Sequence, residues 1–252
     1  MSGVDPGERV REHLDAAGAD WLRAALADVR ARPEAVRTLF PAVGRHCGRS
    51  PLVAGDADGL VHGTVDDAVR GLLLAALPLT GPALVAEVTG LYRFGDAAER
   101  RGVLRGLPAP ADPDPADPAG DGLTDLVLDA LRTNDRRLVA AALGPCARRL
   151  ADHDSRHGVL KALFTQIPLA AVADLHERAD AGLAAMFLSF AHERVAAGRD
   201  VPADTWLVLD RHPELVASSA LPGELGSPVP ARRGAALRAL ADRPPSRTGA
   251  GG

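Results

Sequence analysis

Apolar residues recur every three or four positions through most of this 252-residue chain, and proline, glycine or a short polar residue bounds nearly every run. That period is the signature of helices that bury one face, since a half-buried strand alternates every second residue. Composition points the same way. Apolar residues make up 46% of the chain but aromatics only 3%, so alanine and leucine, both strong helix formers, carry the apolar content. The expected fold is all-α, with stacked helical hairpins forming an irregular, HEAT-like α-solenoid; a helical bundle is the alternative.

Individual helices follow from stripes and stops. Trp21, Leu22, Ala25, Leu26 and Val29 form one stripe, with Asp20 as its expected N-cap and Pro33 as its stop. Val69, Leu72, Leu73, Ala76 and Leu77 form the next, opened by Thr64 or Asp66 and closed by Pro78. A third helix is expected over Pro82–Thr89, and a fourth from the cap Asp96, with Glu99 three residues on, to Leu107. Residues 108–121 are rich in proline and aspartate, which excludes a helix or sheet interior. They part an N-terminal helical region (1–107) from a C-terminal one (122–212), either as a linker between domains or as a loop within one.

The second region is again helix after helix. Leu123, Leu126, Val127, Ala130 and Leu131 share a face, and Asn134 or Asp135 restarts the chain toward a break at Gly144-Pro145. Val159, Leu160, Leu163, Phe164 and Ile167 make a stripe that ends at Pro168. Leu175, Ala179, Leu183, Met186 and Phe190 follow, with a division expected near Asp180-Ala181-Gly182. Asp204 opens a helix around Trp206 and Leu209, and residues 222–252 read as a loosely ordered tail. Gly102-Val103-Leu104-Arg105-Gly106-Leu107 also echoes Gly158-Val159-Leu160-Lys161-Ala162-Leu163, as repeated hairpins would.

Several function classes fall away. A net charge of −4 gives no basic footprint for nucleic acid. The start of the chain has no apolar signal region, and the longest apolar run, Gly71–Leu79, is far too short to span a bilayer, so a cytoplasmic location is expected. Two cysteines, Cys47 and Cys146, are too few for a disulfide scaffold. His176-Glu177 and His192-Glu193 lack the second histidine of a zinc motif, and His153 and His157 straddle a helix start capped by Asp154. No metal, cofactor or catalytic residue is expected. Lys161 is the one lysine among many arginines; a GC-rich coding bias that left it by chance is the simplest reading, and a position where a compact ammonium is preferred is the alternative.

Taken in order, Arg132-Thr133-Asn134, Val159-Leu160-Lys161-Ala162-Leu163-Phe164, Pro168-Leu169, Arg178-Ala179, Leu183, Met186, Ala191-His192-Glu193-Arg194, Ala197-Gly198-Arg199 and Trp206 form a set. This set resembles the EboA family, the first component of bacterial ebo gene clusters, best over 126–209. Phe190 and Cys146 stand where the family pattern has aromatic residues with hydroxyls. The resemblance implies a helical binding or adaptor protein that supports traffic of a secondary-metabolite precursor toward the periplasm. Its implied partners are other ebo-cluster proteins, among them a UbiA-type membrane prenyltransferase, and a small-molecule precursor. Arg132, Asn134, Lys161, Arg178, His192, Glu193, Arg194 and Arg199 are the implied contacts. Two rival readings are an enzyme with His192 and Glu193 as an acid/base pair and a purely structural partner of the prenyltransferase.

Overall fold

The computed structural model describes residues 6–107 and 122–241. Among them there is no strand, only an isolated bridge between Pro51 and Thr64. The helices are α1 (Pro6–Arg11), α2 (Ala16–Ala31), α3 (Val36–His46), α4 (Val65–Ala75), α5 (Gly81–Phe94), α6 (Ala97–Gly106), α7 (Thr124–Arg132), α8 (Arg136–Ala142) and α9 (Asp152–Phe164). They continue with α10 (Leu175–Arg178), α11 (Ala181–Ala196), α12 (Trp206–Leu209), α13 (Pro213–Ser218) and α14 (Pro230–Ala241), joined in places by short 3-10 turns.

The chain divides into two compact units. The first holds residues up to Gly158 and Ala170–Ala173; the second holds Val159–Leu169 and the chain from Asp174. Helices on both sides of the proline-rich stretch therefore belong to one unit. The stretch itself lies outside the described residues.

Stacked hairpins build the first unit. α3 folds back on α4, α5 on α6 and α7 on α8, while α2, α4, α6 and α8 pack successively side by side. Glycine allows α4 and α6 to meet backbone to backbone: a Cβ at Gly106 would lie 2.7 Å from the Cα of Gly71. One continuous core runs through the unit, from Val10 and Phe40 to Val103, Val127 and Leu150.

A charged cluster crosses the same α4–α6 contact. Arg70, only 1% exposed, pairs with Asp66 at 2.6 Å. Arg101 Nε donates to both oxygens of Asp67 at 2.7 Å, and Arg105 reaches the carbonyls of Gly59, Leu60 and Val61 at 2.9, 2.9 and 3.3 Å. Burial draws the Arg105 guanidinium below its ordinary pKa, against the opposing pull of Asp67. The cluster clamps the loop before α4, whose Asp56 carboxylate accepts three further N–H groups from Leu60, Val61 and His62.

In the second unit, α12, α13 and α14 pack around α11. Phe187, Ala191, Val195 and Leu209 are buried there.

Several local expectations need correction. Asp15, not Asp20, caps α2, because its carboxylate accepts from the Gly18 N–H at 2.7 Å and starts the helix earlier. α5 runs five residues past Thr89, to Phe94. α3, with Pro41 inside it, falls outside the expected stripes. α9 begins at Asp152, so Asp154 lies in its first turn rather than capping it. The loosely ordered tail fails over 222–241: a 3-10 turn at Pro222–Gly226 leads into α14, which buries Ala235, Ala236 and Ala239. Small alanines on one face give a weak hydrophobic signal, yet they pack closely.

Candidate functional site

A groove of about 310 Å³ in the second unit brings together part of the chemistry that the motifs carry. Two helix C-termini form its ends. α9 closes with Gln166 in the left-handed region (φ 57°), where the Ile167 N–H bonds to the Ala162 carbonyl at 2.9 Å and the Gln166 N–H to that of Leu163 at 3.3 Å. α11 closes in the same way at Gly198 (φ 70°), with the Arg199 N–H on the Arg194 carbonyl and the Gly198 N–H on that of Val195, both at 2.8 Å. These paired bonds are Schellman motifs, which satisfy the last carbonyls of a helix while turning the chain sharply away.

Phe164 forms one wall of the groove. Its place in the apolar stripe of α9 suggested a core residue, but it is 56% exposed and meets Phe190 edge to face, with centroids 4.7 Å apart. One residue beyond Leu163 turns the side chain about 100° around the helix, off the buried face. The Arg194 guanidinium lies 5.7 Å from the Phe190 centroid, and its Nε donates to the Asp200 carbonyl. Glu193, Arg199 and Pro202 complete the rim. Aromatic faces bordered by arginines form an amphipathic surface that suits an apolar group carrying polar or acidic substituents.

Three of the eight implied contacts, Glu193, Arg194 and Arg199, thus come together. His192 does not join them. Its Nε2 lies 3.3 Å from Glu224, whose carboxylate is also gripped by Arg232, with Nε at 2.9 Å from Oε2. The bonds from Arg232, with help from His192, hold the Glu224 carboxyl below the usual glutamate range. His192 and Glu193 therefore serve different surroundings, and the geometry does not set them up as an acid/base pair on one substrate.

The remaining contacts are dispersed. Lys161 is half-buried on α9, and Arg178 half-buried at the end of α10. Arg132 and Asn134 belong to the first unit. Arg132 lines a polar recess of about 450 Å³ with Tyr92, Arg93, Arg100, Asp125 and Asp129, where the Tyr92 hydroxyl donates to Asp129 at 2.9 Å. Asn134 is exposed in the bend before α8; Asp135 is the cap, accepting from Arg137 and Leu138.

Glu224 and Arg232 were missed because they lie in the stretch read as tail. The Asp66–Arg70 pair had a legible signal: opposite charges four residues apart inside an apolar stripe. His153 and His157 meet edge to face at 4.5 Å, and among the described residues no group of three or more potential metal ligands occurs. Both thiols are buried, and burial pushes Cys47 up to about 11 and Cys146 up to about 12. No described helix is long and apolar enough to cross a membrane.

Residues 8–210 match the model of a family described as "Metabolite traffic protein EboA". No curated protein and no solved structure matches the chain.

Proposed function

We propose that this chain, which belongs to the EboA family, is a non-catalytic adaptor that supports traffic of a secondary-metabolite precursor from the cytoplasm toward the periplasm. Metabolite traffic is the role in the family's description. The adaptor reading rests on one observation: Phe164 and Phe190 sit with Glu193, Arg194 and Arg199 on a single accessible groove. Aromatic and arginine side chains in this mix are those that anchor protein contacts. The fitting partner is another protein of the same cluster, the UbiA-type membrane prenyltransferase foremost.

The test is a pair of substitutions on the groove. Phe164 and Arg199 are both exposed, so Phe164→Asp, despite losing the Phe190 contact, and Arg199→Glu are expected to accumulate and melt close to the parent. They are also expected to lose co-purification with the cluster partner and to fail to restore metabolite export in a deletion strain. Full rescue by both variants at normal protein levels would overturn the adaptor role of the groove. The enzyme reading loses its geometric support once His192 is engaged by Glu224 and Glu193 lines a separate groove.

A further inference from the structure

The first unit contains a second, larger recess that none of the motif residues enters. It measures about 710 Å³ and opens at the C-terminal ends of α4 and α6, against the start of α5. Leu74, Leu77, Leu79, Leu84, Val85 and Val88 supply most of its wall. Among the described residues Arg149 is its one ionisable lining residue, and it is already engaged. The close Gly71–Gly106 contact explains why the space is there. At that point α4 and α6 touch backbone to backbone; α6 ends there and α4 one turn further on, at Ala75, so the recess opens just past their close contact.

Apolar walls left unfilled forfeit dispersion contacts and expose hydrocarbon to water. The chain's own nearest candidate to cover them is 108–121, but that stretch is composed only of Pro, Ala, Asp and Gly and offers no leucine, valine or aromatic side chain. The volume lies in the range of small-molecule sites, which are mostly apolar with few polar groups. We infer that this recess binds an uncharged, largely hydrophobic small molecule, and that it is where the protein takes hold of its metabolite. The inference rests on the traffic role proposed above and assigns the cargo to the first unit, leaving the groove of the second unit for the partner.

The recess can be probed with N-phenyl-1-naphthylamine, an uncharged dye that fluoresces in apolar surroundings. The full chain is expected to bind it saturably. Ala75 lines the recess yet is exposed on α4, so Ala75→Trp fills the space without disturbing the core and should weaken binding about tenfold or more. Leu84→Asp, which makes the wall polar, should do the same, and Phe164→Asp on the other unit should change nothing. Absence of saturable binding, or equal binding by Ala75→Trp, would overturn the inference. So would binding that emerges only when 109–120 are replaced by Gly-Ser repeats, because the chain itself would then be the occupant. Because Phe164→Asp tests the adaptor groove separately, a failure of the cargo site and a failure of the adaptor role give different results.

Discussion

The two units handle charge in opposite ways. In the first, Asp66, Asp67, Arg70 and Arg101 are buried between α4 and α6, and the acidic groups are matched at hydrogen-bonding distance. In the second, Glu224 is buried, but its partners His192 and Arg232 remain partly exposed. A fully buried cluster cannot exchange partners without leaving a bare charge in a low-dielectric interior, so it fixes structure and does little else. A carboxylate with solvent-reachable partners can respond to pH. Charge in the α4–α6 cluster of the first unit is therefore architectural, whereas charge around Glu224 in the second remains adjustable.

The largest test of that contrast is Arg70→Ala. It leaves the buried Asp66 with only the Thr64 hydroxyl and the Arg101 guanidinium, 3.7 Å away, and should cost about 3–5 kcal/mol in urea unfolding of the first unit. The double change Arg70→Met with Asp66→Leu should recover most of this loss, since well-packed apolar groups often replace a buried pair at little cost. A cost below about 1 kcal/mol for Arg70→Ala, the size typical of surface pairs, would erase the distinction between the units. Gly198→Ala comes next. At φ 70° an alanine is strained, and its Cβ would lie 3.0 Å from that of Ala231, so a loss of about 1–2 kcal/mol is expected in thermal melts of the second unit.

The smallest effect at neutral pH belongs to Glu224→Gln, and its signature is pH dependence. The folded carboxyl titrates below its unfolded value of about 4.3. Its pairing therefore contributes fully above that pH and is lost as pH falls through the depressed folded value. Acid titration followed by circular dichroism should show the parent losing more stability than Glu224→Gln over that interval. Parallel curves would mean that the Arg232 and His192 contacts contribute nothing to folding.

Helix type was legible because the 3.6-residue period is carried by large leucines and valines whose burial is obligatory. The breaks at Gly144-Pro145 and at Asp180 were legible for the same kind of reason, since proline and a capping carboxylate act locally. What escaped depends on tertiary context. Phe164 sits on a stripe by spacing alone, and only the packing of α9 decides that its ring faces outward. α14 escaped because alanine registers weakly as hydrophobic. Of the implied contacts, Glu193, Arg194 and Arg199 converge because α11 and its Schellman turn bring neighbouring residues together. Arg132 and Asn134, assigned to the other unit, could not be sorted from these by order along the chain. The apolar recess had no signature at all, since a cavity is a property of what the helices leave empty.

Residues 159–169 belong to the second unit, yet Ala170–Ala173 belong to the first, where the Ala173 N–H bonds to the Leu143 carbonyl at 2.9 Å. The polypeptide thus crosses between the units three times along its length, and no single cut yields both units whole. A truncation at Gly158 would strip the first unit of its last four residues, and one at Ala173 would leave it carrying eleven that belong elsewhere. Gene fusion and shuffling work by single joins. A single join or truncation therefore cannot deliver either unit whole without residues of the other.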